Sequence, residues 1–167
     1  MLEDSSALTK DSYRLEAINE VNLSKLKLLN SILFPISYSP IFYKMVLLIG
    51  DYSRLCFYKD NCVGAICCRV DTSELDDTLE EGECSIYLMT LGVLSPYRRL
   101  GLGGALLEYI LEKTKDSQFK RIYLHVQINN DEAIQFYLKY GFKILERVGN
   151  YYRNIEPTDA YILELQL

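Results

Sequence analysis

One stretch constrains this chain more than any other: Leu91-Gly-Val-Leu-Ser-Pro-Tyr-Arg-Arg-Leu-Gly-Leu-Gly-Gly104, followed by the amphipathic pattern Ala105 to Lys115. An apolar run of strand type passes into a loop rich in arginine and glycine, and the loop opens directly into a helix. A helix start offers unpaired backbone N–H groups and the positive end of the macrodipole. Glycines let an anion approach the backbone, and arginines add charge-assisted donors. The junction is therefore a phosphate-binding device, and the rest of the chain must say which phosphate it holds.

With 167 residues, 49% hydrophobic and 25% charged, the chain is expected to fold as one domain spanning residues 13–167, after a polar, flexible N-terminus at residues 1–12. The formal net charge of -5 argues against direct binding of nucleic acid, which rests on an excess of Lys and Arg. Cys56, Cys62, Cys67, Cys68 and Cys84 are odd in number, lie mostly in apolar runs and lack zinc-site spacing, so they read as reduced core residues with no metal. The start Met-Leu-Glu-Asp has no signal-peptide pattern, and no apolar run is long enough to span a membrane. A soluble, cytoplasmic protein is expected, with the nucleus also open to it.

In chain order, Tyr13 to Ile18 alternates as a strand. Leu23, Leu26, Leu29 and Leu33 have helical spacing behind a possible cap at Asn22, and the helix must stop before Phe34-Pro35. Phe34-Pro35-Ile36-Ser-Tyr38 is a loop unusually dense in large apolar side chains. It either plugs the core or forms a wall of an apolar pocket, and spacing alone leaves both open. Ser39-Pro40 then starts a short helix that Gly50 ends.

Arg54–Tyr58 and Val63–Val70 read as a hairpin around Lys59-Asp60-Asn61. The acidic segment Asp71 to Glu83 reads as a solvated hairpin loop without chemistry. Cys84 to Val93 is apolar on both faces, as a central strand would be, with Tyr87, Met89, Leu91 and Val93 sharing one face. Arg121 to Val126 is a further strand, with Tyr123 and His125 on one face. Asn130 caps a helix containing Ala133, Ile134, Tyr137 and Tyr140, and Phe142–Val148 and Tyr161–Leu167 close the sheet. Hairpins before the central loop and helix–strand alternation after it predict an α/β, mixed sheet with a parallel pair in the middle.

Among phosphate loops, a Walker A motif needs a lysine that does not follow Gly103 or Gly104. A dinucleotide fingerprint needs glycine at Leu106 and an acidic residue at Gln127. The third candidate matches residue by residue: Arg98-Arg99-Leu100-Gly101-Leu102-Gly103 resembles the [QR]-x-x-G-x-[GA] loop with which GNAT acetyltransferases hold the pyrophosphate of acetyl-coenzyme A. Leu91-Gly92-Val93 before the loop, and Asn130, Ala133, Phe136-Tyr137 and Gly141-Phe142 after it, extend the likeness. Within that superfamily, Phe34 to Tyr38, Tyr87-Leu-Met89, Tyr123-Leu-His125 and Asn150 to Pro157 resemble the NatE-type (San-type) N-terminal protein acetyltransferases. The match runs from about Leu23 to Pro157.

The resemblance implies a single α+β GNAT domain, a central sheet of about seven strands flanked by helices, and a splayed parallel strand pair that binds acetyl-CoA, the only cofactor. It assigns Leu91, Gly92, Val93, Arg98, Arg99, Leu100, Gly101, Leu102, Gly103, Gly104, Asn130, Ala133 and Tyr137 to the coenzyme. It assigns Tyr87 and His125 to an ordered water that takes the proton of the amine, and Tyr137 to the departing sulfur. Phe34, Pro35, Ile36, Tyr38, Met89, Tyr151, Tyr152 and Ile155 would receive a protein N-terminus that begins with a retained methionine followed by a bulky apolar residue.

His125, the only histidine, would by composition alone be a packed core residue. Tyr87 and Tyr137 could equally be packing residues. By the same resemblance the chain would associate with a NatA-type complex at the ribosome. Two other functions remain: acetylation of lysine side chains or small amines, and a non-catalytic coenzyme-binding subunit.

Overall fold

A computed structural model describes residues 13–167, and the N-terminus expected to be flexible lies outside the described residues. The elements are β1 (Tyr13–Ala17), α1 (Leu23–Leu33), α2 (Pro40–Ile49), β2 (Ser53–Tyr58), β3 (Asn61–Thr72), β4 (Cys84–Val93), α3 (Leu102–Thr114), β5 (Phe119–Gln127), α4 (Asp131–Lys139), β6 (Lys143–Val148) and β7 (Ala160–Gln166). Hydrogen bonds join the strands in the order β1-β2-β3-β4-β5-β7-β6. The β4–β5 pair is parallel, and the β1–β2, β2–β3, β5–β7 and β6–β7 pairs are antiparallel. The residues cluster into two compact units, one reaching to Arg69 and including Met89–Lys113, the other made of Val70–Leu88 and Thr114–Leu167.

The first unit is built on the helical stripe and the hairpin. Leu26 and Leu29 of α1, Phe42 and Val46 of α2, Leu55 and Phe57 of β2, and Ala65 and Cys67 of β3 form one buried cluster. Each such large side chain contributes about 1.5–3 kcal/mol on leaving water. Helix α1 stops at Leu33 because Phe34, the residue before Pro35, adopts extended angles (φ -126°, ψ 139°). Ser39 caps α2 by accepting from the Phe42 N–H, Pro40 occupies its first turn, and Gly50 at φ 63° turns the chain out. Lys59 and Asp60, both at positive φ (47° and 71°), make the two-residue turn of the β2–β3 hairpin.

Asn22 departs from its expected role. It stands at the start of α1 but makes no side-chain cap bond. Its Nδ2 donates to the Ala17 carbonyl at 2.8 Å and its Oδ1 accepts from the Asn19 N–H at 2.8 Å, so it ties β1 to the helix instead.

In the second unit β7, last in the chain, lies between β5 and β6 and pairs with both. Chain order did not reveal this insertion. Asn130 caps α4 by accepting from the Ala133 N–H at 3.2 Å, and Gly141 ends that helix at φ 91°. Ile134 and Tyr137 are the buried side of α4.

The acidic segment is solvated as expected at Glu74, Asp77, Glu80 and Glu81, but two of its carboxylates are not. Asp71 is fully buried and Asp76 is 3% exposed. Loops shed charge to water because burying an unpaired carboxylate is costly. Asp76 escapes that cost by collecting donors: Thr78 through its N–H and hydroxyl, Ser85 through its hydroxyl at 2.8 Å, and Arg121 through Nε and Nη2 at 3.0 and 2.9 Å.

Candidate active site

The parallel ladder aligns Ile86 with Ile122 and Tyr87 with Tyr123, while β4 itself continues to Val93. With a period of two, Tyr123 and His125 share a face of β5. Tyr87 meets both. Its ring stands edge-on to Tyr123 with centroids 4.8 Å apart, and its Oη lies 2.8 Å from His125 Nδ1. Tyr87 is buried at 9% exposure, whereas His125 is half-buried and so within reach of a reacting group.

A third side chain completes the cluster. Tyr151 lies flat on the imidazole of His125 (centroids 4.1 Å, planes 5° apart), with its hydroxyl 3.3 Å from that of Tyr87. The loop that carries it is fastened at several points. Asn150, at φ 53°, donates its N–H to Asp159 Oδ1 at 2.9 Å; Arg147 holds the other oxygen of Asp159; and the Tyr152 N–H reaches the Thr158 carbonyl at 2.8 Å.

The Asn150 N–H and Arg147 together hold the Asp159 carboxyl below the usual carboxylate range. Gln127 of β5 donates to the Pro157 carbonyl at 2.8 Å, which ties the same loop to the strand bearing His125. Tyr152 stands perpendicular to Tyr151, and burial pushes its hydroxyl up to about 12, so it stays a neutral donor. Ile155 is half-buried on this loop.

Behind Tyr87 is a group that sequence reasoning missed. Tyr123 donates its hydroxyl to the buried carboxylate of Asp71, and the Arg121 guanidinium lies 4.1 Å over the Tyr123 ring. Arg121 is held in turn by Asp76 and by Glu164 Oε2 at 2.8 Å. Burial alone would disfavour both charges. Hydrogen bonds from Thr78, Arg121 and Ser85 nevertheless hold the Asp76 carboxyl below its usual value, and Asp76 and Glu164 hold the guanidinium of Arg121 above its own. A signal was available. The period that places Tyr123 and His125 on one face places Arg121 there too, and an inward cation requires an anion that the segment after β3 supplies.

In the first unit the glycine loop opens directly into α3. Ser95–Tyr97 forms a short 3-10 turn, Arg98 Nε donates to the Val93 carbonyl at 3.0 Å, and Arg99 and Gly101 take positive φ (63° and 78°). The Ala105 N–H reaches the Gly101 carbonyl at 2.9 Å, the first bond of α3, so the N–H groups of Leu102, Gly103 and Gly104 precede the helical ladder. Leu102 is buried and anchors the loop, Leu100 is half-buried, and both arginines are exposed.

On β4, Leu91 and Gly92 are half-buried and Val93 is buried. A Cβ at Gly92 would come within 2.9 Å of Leu33 Cδ1 and 3.1 Å of Phe34 Cζ, which explains glycine in this strand. The expected peptide residues Phe34, Pro35, Ile36 and Tyr38 line a groove of about 710 Å³ whose walls include Lys27 and Lys44. Tyr38 also stacks on Phe42 with centroids 4.5 Å apart, and Met89 packs against the first unit's core. The loop thus forms a wall of a groove, and Tyr38 also packs against the core cluster.

Of the coenzyme residues in the second unit, Asn130 spends its Oδ1 on Ala133 as a helix cap. Tyr137 is 6% exposed and packs between Phe136 and Phe142, with centroids 5.1 and 5.4 Å away.

The parallel β4–β5 pair carries a tyrosine–histidine pair, and β4 runs on in sequence into the glycine-rich start of α3, the features of a coenzyme A-dependent acyltransferase. Residues 25–142 match the acetyltransferase (GNAT) family, and this chain belongs to that family. It is 46% identical over 159 residues to N-alpha-acetyltransferase 50 of Danio rerio, covering 95% of this chain and 90% of that one. It is 45% identical over 161 residues to the probable N-acetyltransferase san of Drosophila melanogaster, covering 96% and 84%. Among solved structures it resembles Arabidopsis thaliana Naa50 in complex with the bisubstrate analogue CoA-Ac-MVNAL, with a TM-score of 0.86, 42% identity, and 93% and 99% of the two chains covered.

Proposed function

We propose that this chain is an N-alpha-acetyltransferase that moves acetyl from acetyl-CoA to the α-amino group of proteins beginning with methionine and a bulky apolar residue. The observation that carries the reading is the 2.8 Å contact of Tyr87 Oη with His125 Nδ1, flanked by the Tyr151 hydroxyl. A peptide α-amino group has a pKa near 8 and must lose a proton before it attacks. A tyrosine alone is a poor base. When Tyr87 accepts that proton through water and passes its own to His125 Nδ1, the imidazole becomes the base and the tyrosine stays neutral.

The freed amine forms the C–N bond at the thioester carbonyl. Backbone N–H groups of Leu91 to Val93 hold the developing oxyanion, and the C–S bond breaks. Tyr137 supplies a proton to the sulfur and is reprotonated by the second proton that the nitrogen sheds as the amide forms, a modest aid because a thiolate is already a tolerable leaving group. Arg98, Arg99 and the N–H groups of Leu100 to Gly104 hold the pyrophosphate, with Asn130 and Ala133 as further contacts of the coenzyme.

Phe34, Pro35, Ile36, Tyr38 and Met89 of the first unit, and Tyr151, Tyr152 and Ile155 of the second, are the proposed peptide contacts. The Danio and Drosophila relatives support N-acetyl transfer, and the Naa50 complex with the analogue CoA-Ac-MVNAL supports an acceptor that begins with methionine. Association with a NatA-type complex at the ribosome and a cytoplasmic location belong to the same proposal.

Incubation with acetyl-CoA and three acceptors tests it: a Met-Leu peptide, the same peptide with a blocked N-terminus and an internal lysine, and a polyamine. Acetylation confined to the α-amino group supports the reading. Faster modification of lysine or polyamine would replace it with the side-chain alternative, and no turnover of any acceptor with intact coenzyme binding would leave the non-catalytic subunit.

A further inference from the structure

Asp71 near the end of β3 and Asp76 in the segment that follows are two buried carboxylates that no step of the reaction uses, and they hold two side chains of β5 that touch each other. Asp71 accepts the hydroxyl of Tyr123, and Asp76 grips Arg121, whose guanidinium covers the Tyr123 ring at 4.1 Å. Tyr123 is thereby fixed at both ends, by its hydroxyl and across one face. Its ring stands edge-on to Tyr87, and Tyr87 has its oxygen 2.8 Å from His125 Nδ1. We infer that Asp71 and Tyr123, backed by the Asp76–Arg121 pair, are positioning residues that hold the Tyr87 ring in line with His125.

The proposal rests on Tyr87 and His125 being the proton-transferring pair. A phenol ring in a strand has two soft torsions, and its hydroxyl swings through ångströms when they relax. Hydrogen bonds to His125 and Tyr151 fix the Tyr87 oxygen but do not by themselves set the tilt of its ring. An edge-on neighbour that is itself immobilised sets that tilt, because aromatic pairs have preferred geometries and a packed wall does not give way. Asp71 and Arg121 do the immobilising. The bidentate, charge-assisted Asp76–Arg121 contact keeps the guanidinium over the ring instead of extended into water. Misplacement of a reacting group by about 1 Å can cost a hundredfold in rate, so this buttress should appear in kcat more than in binding.

The test is a double-mutant cycle on full-length protein, with kcat and KM measured separately for acetyl-CoA and a Met-Leu peptide. Tyr123→Phe and Asp71→Ala are expected to lower kcat about tenfold with both KM values within about twofold, while Asp71→Asn, which still accepts the tyrosine hydroxyl, recovers most of the loss. In a Tyr87→Phe background, Tyr123→Phe should cost little further, because the ring oxygen it positions is gone.

Equal losses in the two backgrounds, or a Tyr123→Phe enzyme with unchanged kcat below its unfolding temperature, would overturn the positioning role. Full activity of Tyr87→Phe itself would overturn instead the assignment of the catalytic pair. Because Asp71→Ala risks unfolding, Tyr123→Phe, which keeps ring and volume, carries the decision.

Discussion

Asp76 holds Arg121 through both carboxylate oxygens, at 2.9 and 3.0 Å, with the side chains of the two residues 1% and 8% exposed. A pair this deep is sensitive to the loss of either member. Removing one leaves the other charge buried and alone, which typically costs about 3–5 kcal/mol. Asp76→Ala and Arg121→Met are therefore expected to lower the unfolding free energy by that order in urea titrations. An exposed pair such as Arg14–Glu16 should lose under about 1 kcal/mol in the same measurement.

The same pair sets a pH dependence. Because the folded-state pKa of Asp76 is depressed, its contribution is fully present above the ordinary carboxylate value of about 3.9 and is lost as pH falls through the lower folded value. Stability of the wild type should decline below about pH 4 more steeply than that of Asp76→Asn. Thermal unfolding followed by circular dichroism across that range checks this.

Gly92 has Leu33 and Phe34 closing over it, with 2.9 and 3.1 Å available to a Cβ. Gly92→Ala must displace the end of the Leu33 side chain and press on the Phe34 ring beside it. The expected result is a peptide KM raised about tenfold, since displacing one apolar contact is worth 1–3 kcal/mol, with a smaller change in the KM for acetyl-CoA. Steady-state kinetics with each substrate varied in turn distinguishes the two.

Arg98→Ala should raise the acetyl-CoA KM more than Arg99→Ala does. Both remove a cation from the loop, but Arg98 also holds the Val93 carbonyl at the end of β4. A lost charge-assisted hydrogen bond corresponds to about tenfold or more in binding. Titration with acetyl-CoA by calorimetry gives the comparison directly, and unchanged affinity in both variants would contradict the phosphate assignment.

Where the sequence carried a local rule, it was a reliable guide except at Asn22, whose side chain ties β1 to α1 instead of capping the helix. Pre-proline Phe34, the Ser39-Pro40 start, Gly50, the Lys59-Asp60 turn and the Asn130 cap each obey a constraint confined to a few residues, and the elements begin and end there. The glycine loop was legible for the same reason. Non-local facts were not: the insertion of β7 between β5 and β6 depends on pairings distant in sequence, and composition made Asp71 to Glu83 look solvated. Two of those carboxylates are buried because Arg121 and Tyr123, some fifty positions onward, supply the donors.

Tyr151 shows the limit within the site itself. The family resemblance marked it as a peptide contact, but its stacking at 4.1 Å on His125 follows from a loop anchored by Asp159 and Gln127, which no spacing predicts.

The central claim is that Tyr87 and His125 act as one proton-transferring unit on an α-amino group. Single-turnover acetylation of a Met-Leu peptide by wild type, Tyr87→Phe, His125→Ala and the double variant tests it most directly. The account predicts that each single variant loses about a hundredfold or more and that the double variant is no worse than the poorer single. Rates undiminished in both single variants, or losses that multiply in the double variant, would contradict it.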